Sequence, residues 1–354
     1  MENEERAAYA LRSLYRKYGY KPYKMSKFEE YDFYVRNKNF LLSDDVITFT
    51  DTNGKLMALK PDVTLSIVKN SKDEGSVEKV YYNENVFRVS GESKAFKEIM
   101  QTGLECIGDL DDYCVAEVLL LAKKSLETLS DEYVLDVSHV GIVSDVIEST
   151  GIKGDGKQKL LSLLKEKNVH EVDEVFLASN VPVGNAEKLK ELIRMDGTPD
   201  EILPALEKMF SGTKTEKTVE RFASVLSLLP QDHLRIDFSL INDMRYYNGI
   251  VFQGFVKGLP SGVLSGGQYD LLMKKMGKKS HALGFAVYPE RLTKKNAEKT
   301  PDADVLVLYD ESVSPKKVTE TVQSMIQSGL RVIAQKNANG LRVGKTVDIR
   351  EKKE

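Results

Sequence analysis

KVYYNENVFRV, residues 79–89, and EIMQTGLECI, residues 98–107, read as two long β-strands joined by about eight mostly polar residues that include Gly91. Upstream, DVITFTD (45–51) meets KLMAL (55–59) across Thr52-Asn53-Gly54, and Asn-Gly between two such runs signals a hairpin. Pro61-Asp62 then precedes a helix start at Val63–Lys69. Residues 3–18 have an amphipathic helical pattern, with Leu11, Leu14, Tyr15 and Tyr18 on one face and Gly19 placed to end it. Downstream, Asp111–Leu129 reads as a helix capped by Asp111 or Asp112, and YVLDVSH (133–139) as a strand. From about 142 to 229 the apolar residues recur at helical spacing, as in Leu160-Leu161-Leu163-Leu164. Strands return at 234–241, 249–256 and 281–288. Residues 294–301 form a charged linker, 303–335 read strand, helix, strand, and the last 15 or so residues carry too few apolar side chains to assign any structure. The order predicts an α+β domain over 1–293, built on an antiparallel sheet and carrying a helical insertion at 142–229, then a small α/β segment at 302–354. It does not suit a doubly wound parallel sheet.

The chain has 354 residues, 41% apolar and 30% charged, enough for a core and a solvated surface. A net charge of −3 and a pI near 6.0 give no sign of a basic face, so no nucleic-acid partner is expected. The short basic pairs, such as Lys274-Lys275 and Lys278-Lys279, read as solvated surface. Cys106 and Cys114 with His139, His170, His233 and His281 show no metal-ligand spacing, so no metal is expected, and no cofactor is implied. Two cysteines in such a length fit a reducing compartment. The charged N-terminus has no apolar signal segment, and no run reaches the roughly 18 apolar residues of a membrane span. A cytoplasmic protein without a membrane partner is the expectation. Gly340–Thr346 resembles a phosphate-binding loop, but its first glycine is one residue too close and no apolar helix follows. Gly151–Gly156 lacks the strand that a dinucleotide site needs.

Three segments could hold a ligand. Glu98–Gly108, as a strand, puts Gln101, Gly103 and Glu105 on one face and Met100, Thr102, Leu104 and Cys106 on the other. An amide and a carboxylate flanking a bare glycine could hold a small cationic or amine-bearing molecule. The same pattern fits a half-exposed strand whose polar face meets water. Asp243–Gly249 offers the adjacent rings of Tyr246 and Tyr247, or a hairpin turn at Asn248-Gly249. Leu264–Asp270 contains Gly266-Gly267 before a helix, which suits close backbone approach or a tight turn.

In this order the segments resemble class II histidyl-tRNA synthetases and their non-synthetase relatives. Leu59–Thr64 is similar to the family's Leu-Arg-Pro-Glu/Asp-x-Thr segment. Phe87-Arg88 and Lys97–Gly108 are similar to motif 2 and its return strand, Arg245–Gly249 to Asp-Tyr-Tyr-Thr-Gly, Gly266–Asp270 to Gly-Gly-Arg-Tyr-Asp, and Gly284–Leu292 to motif 3. The resemblance implies histidine-binding roles for Asp62, Thr64, Gln101, Glu105, Tyr246 and Tyr247, and residual motif arginines at Arg88 and Arg291. It also exposes departures. Asn242 stands where the synthetase has a transition-state arginine, Arg245 replaces its Asp, and Ser90 its adenine-side Glu. Gln268 stands for an Arg and Ser26 for the motif 1 Pro. Fixed cations of this kind are worth about 100- to 1,000-fold in rate, so adenylate formation is expected to be lost. A pocket that keeps the amino-acid side and loses the ATP side points to the regulatory subunits of ATP phosphoribosyltransferase. These pair with a short catalytic subunit in the first step of L-histidine biosynthesis and are non-catalytic; a homodimer formed through about Tyr18–Tyr34 is implied. An active synthetase or other amino-acid-activating ligase, and a synthetase-like protein of translation control, stay open as alternatives.

Overall fold

Leu11 and Tyr15, one helical turn apart and both fully buried, seat helix α1 (Glu2–Lys17) in the main core. The computed structural model describes residues 2–41, 45–89, 95–241, 246–292 and 301–350. It divides into two compact units, Met1–Lys294 and Lys295–Glu354. Gly19, at φ 82°, takes the left-handed conformation that ends α1, and its N–H meets the Arg16 carbonyl at 3.1 Å.

The chain continues through β1 (Lys21–Pro22), β2 (Phe28–Glu30), α2 (Tyr31–Arg36), β3 (Thr48–Thr50) and β4 (Leu56–Leu59). Strands β2, β4 and β3 make a small antiparallel sheet, with the β3–β4 turn at the expected Asn53-Gly54. There Asp51 accepts the backbone N–H groups of Asn53 and Lys55, both at 2.8 Å. Then follow α3 (Thr64–Asn70), β5 (Glu78–Val89), β6 (Phe96–Gly108), α4 (Asp112–Leu129) and β7 (Tyr133–His139). Asp111 caps α4 by accepting the Cys114 N–H at 2.8 Å. Helices α5 (Val140–Ser149), α6 (Gly154–Lys165), α7 (Val172–Ala178) and α8 (Glu187–Arg194) come next, then the short β8 (Asp196–Gly197), α9 (Pro199–Phe210) and α10 (Glu216–Ser227). The first unit closes with β9 (Leu234–Asp237), β10 (Ile250–Val256), β11 (Leu264–Gln268), α11 (Asp270–Lys275) and β12 (His281–Val287).

The large sheet has the order β1-β5-β6-β12-β11-β10-β7-β9-β8. Only β1–β5 and β7–β9 pair parallel; the remaining neighbours are antiparallel, so the α+β expectation holds. Helices α1 and α4 cover one face, burying Tyr15, Leu119 and Leu126 with Leu104, Leu135 and Phe285. A second cluster, with Tyr34, Leu65, Val68, Tyr82, Tyr269 and Leu272, lies beside the other face. Buried leucines and phenylalanines of α6 to α10, such as Leu163, Phe176, Leu192 and Phe222, join the first cluster. In the second unit, β13 (Ala303–Leu308) pairs parallel with β14 (Val332–Gln335) and β15 (Val343–Asp348), and α12 (Pro315–Gln327) links β13 to β14. Among the described residues no helix is long and apolar enough to cross a membrane.

Three elements differ from the sequence reading. The strand expected over 234–241 stops at Asp237, whose carboxylate accepts the Ser239 N–H at 2.9 Å and turns the chain. Residues 264–268, which suited either a close backbone approach or a tight turn, form a central strand, the close-approach reading. A Cβ on Gly266 would lie 2.4 Å from the Gly284 carbonyl oxygen and from the Phe285 Cβ, so glycine is what allows β11 and β12 to close. The last 15 or so residues, left without structure, contain β15, which pairs along β13 from Ala303–Val343 to Leu308–Asp348.

Candidate functional site

The face of β6 that carries Gln101, Gly103 and Glu105 is buried, not wetted: Gln101 is 4% exposed and Glu105 1%. Register explains what meets it. Glu105 lies opposite Val80 and Gly284, Gly103 opposite Tyr82 and Ala286, and Arg88 opposite Lys97. The strand period of two therefore turns Tyr82, Arg88, Gly284 and Ala286 toward the same side. They line a cavity of about 280 Å³, at the small end of ligand sites and suited to a molecule of amino-acid size.

All six residues that the sequence reading grouped line this cavity: Asp62, Thr64, Gln101, Glu105, Tyr246 and Tyr247. Glu105 is held at both oxygens, by the Thr64 hydroxyl at 2.9 Å and the Tyr269 hydroxyl at 2.5 Å. Its carboxyl rests over Gly284, where any Cβ would fall 1.7 Å from Oε2. Burial pushes the Glu105 carboxyl up to about 8, against the pull of those two hydroxyls and with a further push from nearby Asp62. Burial thus favours the protonated form of Glu105 near neutral pH. Asp62 accepts the Leu65 N–H at 2.9 Å at the start of α3. Burial raises its carboxyl too, while the Leu65 N–H and the Arg88 guanidinium act the other way. The Tyr246 ring packs on Tyr247 at 4.8 Å, Tyr269 at 5.9 Å and Phe40 at 6.1 Å.

The two arginines separate. Arg88 lines the cavity, donates from Nε to the Pro61 carbonyl at 3.0 Å, and keeps a buried Nη2 without a partner. Arg291 is not among the lining residues: it donates to the Gly262 carbonyl and lies 4.2 Å from the centre of the Tyr288 ring, which does line the cavity. Arg291 braces a wall without touching the space. Ser90, Asn242 and Arg245 lie outside the described residues. Gln268 faces away, donating to Asp270 at 2.7 Å, and the Ser26 hydroxyl accepts the Phe28 N–H at 3.3 Å. Sequence reasoning missed Tyr82, Tyr269, Tyr288 and Lys165. Tyr82 had a signal, since it shares its strand face with Arg88. Lys165, at the end of α6, had none.

A cavity of this size that pairs carboxyl groups with tyrosine rings can bind a small cationic or zwitterionic molecule, and its enclosing strands belong to a recognisable family. Residues 1–292 match the family described as histidyl-tRNA synthetase. The ATP phosphoribosyltransferase regulatory subunit of Caldanaerobacter subterraneus subsp. tengcongensis is 30% identical over 292 residues, 80% of this chain and 76% of that one. The chain belongs to the histidyl-tRNA synthetase family, and within it to the ATP phosphoribosyltransferase regulatory subunits. Solved structures give the same fold. A Bacillus halodurans protein described as an ATP phosphoribosyltransferase regulatory subunit/histidyl-tRNA synthetase superposes with a TM-score of 0.77 at 22% identity, covering 99% of this chain and 95% of that one. A chain of the ATP phosphoribosyl transferase complex from Thermotoga maritima superposes with a TM-score of 0.63 at 20% identity, over 80% of this chain and 96% of that one.

Proposed function

We propose that this regulatory-subunit chain is the non-catalytic, histidine-sensing partner of a short ATP phosphoribosyltransferase catalytic subunit in the first step of L-histidine biosynthesis. The observation that carries the sensing role is the cavity, which collects Asp62, Thr64, Gln101, Glu105, Tyr246 and Tyr247 around a space of about 280 Å³. The α-ammonium of histidine needs several acceptors at once, and Asp62 with the lone pairs of the Thr64 hydroxyl provides them. Glu105 and Gln101 face the imidazole, and the rings of Tyr246 and Tyr247 close over it. Arg88, with a buried Nη2 awaiting a partner, takes the carboxylate. An imidazole arriving beside Glu105 can take up its proton, which leaves an imidazolium–carboxylate pair with the proton kept inside the site.

The same chain lacks the means to activate an amino acid. Asn242 and Ser90 offer no cation and no carboxylate where the synthetase reaction uses them, and a missing transition-state donor costs about 100-fold or more. Regulation by binding alone is the role that remains.

The test is calorimetric titration of L-histidine into wild type and Glu105→Ala, beside an inhibition curve of the assembled phosphoribosyltransferase. Leaving a bound cation unpaired costs about 3–5 kcal/mol, so the variant should bind at least a hundredfold more weakly. Its complex should stay active and resist histidine. Equal affinities would remove Glu105 from the site, and weakened binding with unchanged inhibition would place the regulatory histidine elsewhere. Pyrophosphate exchange with histidine at an ordinary enzymatic turnover, roughly 1 per second or faster, would restore the synthetase reading.

A further inference from the structure

Charge balance around the cavity singles out a residue that the reading above leaves unused. Lys165, the last residue of α6, lines the cavity although it belongs to the helical insertion and not to the sheet. The turn that follows it is anchored. Lys167, at φ 54°, sets its Nζ 2.6 Å from Asp196 on β8 and 2.8 Å from Asp237 on β9. Asp237 is also the residue that ends β9, a few positions before Ile241, another lining residue. Two residues apart, then, one lysine is spent on two carboxylates at the sheet edge. The other has no ion-pair partner among the described residues and is held at the cavity by its neighbour's anchorage.

The other lining cation, Arg88, is in a different position. Its charge acts on Asp62 and its Nε is bound to the Pro61 carbonyl. Arg88 is thus already engaged beside Asp62, whereas Lys165 stands at the cavity with no acidic side chain bound to it among the described residues. An amine ligand would add to the Lys165 charge. A ligand that carries a carboxylate would neutralise it.

We infer that Lys165 binds the α-carboxylate of the amino acid in this cavity, jointly with Arg88, and makes the site select an amino acid over the corresponding amine. The inference rests on the histidine-binding reading of the cavity. It adds that the helical insertion supplies part of the site, so that an occupied cavity is bonded to α6 as well as to the sheet.

The experiment uses the full chain as wild type, Lys165→Met and Lys165→Arg, titrated calorimetrically with L-histidine and with histamine, which lacks the carboxylate. Lys165 is exposed, which puts the effect at the low end for a charge-assisted bond: Lys165→Met should weaken histidine binding roughly tenfold. Lys165→Arg should stay within about threefold of wild type, and histamine should bind Lys165→Met at least as well as wild type. An unchanged melting temperature in Lys165→Met would show that the fold is intact. Equal histidine affinity in wild type and Lys165→Met overturns the inference, and so does an equal loss for histidine and histamine. Wild type that binds neither compound overturns the histidine reading itself, a failure distinct from either of those.

Discussion

Glu105 shows how much one side chain can reveal in sequence and how much it withholds. Its position on a strand face with Gln101 and Gly103 follows from the period of two in EIMQTGLECI. Whether that face meets water or protein does not, because the covering groups, Thr64 and Tyr269, are 41 and 164 positions away in the chain. Lys165 marks the opposite limit: a lysine at a helix end reads as solvent-facing, and only the assembled fold brings it to the cavity. The buried carboxyl also has a measurable signature in the ligand-free protein. Its folded value, near 8, lies above the ordinary carboxylate value of 4.5, so between these limits the folded state holds more protons than the unfolded one. Stability from this group is therefore full below about pH 4.5 and is lost as pH rises through 8. Glu105→Gln keeps the shape without the titration. Its melting temperature should gain on wild type by at least about 2 °C between pH 5 and pH 8, and a constant difference across that range would show Glu105 to be ionised in the folded state.

At the level of elements, the strand pair 78–108 and the α4 helix with its Asp111 cap were legible because length, alternation and capping chemistry agree. Strand β11 was not, since Gly266-Gly267 lowers strand propensity locally, and the packing that requires the two glycines involves β12 and Phe252 at Gly266, and Tyr247 and Ile250 at Gly267. Strand β15 was hidden for another reason: VGKTVD is half polar and finds its parallel partner about 40 residues upstream. The glycine of β12 offers the sharpest element-level test. Gly284→Ala would put a methyl group 1.7 Å from Glu105 Oε2 and 2.5 Å from the Leu104 carbonyl oxygen. Overpacking of this kind costs about 1–3 kcal/mol. The variant should melt several degrees lower and bind histidine at least about tenfold more weakly, with Glu105 displaced from Thr64 and Tyr269. Wild-type affinity in this variant would show that the Glu105 position does not set binding.

For the whole molecule, the small sheet bears on assembly. Phe28 and Phe49 stack edge to face at 5.8 Å on its surface, with Leu56 47% exposed nearby in the chain's own β3–β4 pairing. Phe28 falls within the 18–34 region that the family resemblance assigns to dimer contact, and exposed aromatic side chains on a sheet suit an interface. Light scattering at micromolar concentration should give twice the 39.8 kDa chain mass, and Phe28→Lys should shift it toward a single chain. A monomeric wild type would remove this surface from the assembly. Membership in the regulatory-subunit family could not be read from any single residue; the resemblance needed several short segments in their order along the chain.

The parallel pairing of β7 with β9 has a kinetic consequence. Val137 lies opposite Ile236, about a hundred residues away along the chain, and about two thirds of the intervening segment is helical. Helices form on microsecond timescales, whereas a contact of such sequence separation waits on loop closure. Folding the intervening helices first draws the two ends together and reduces that entropic barrier. Refolding from denaturant should therefore regain far-ultraviolet ellipticity before the fluorescence of its 16 tyrosines reaches the native value, a readout left uncluttered by the absence of tryptophan.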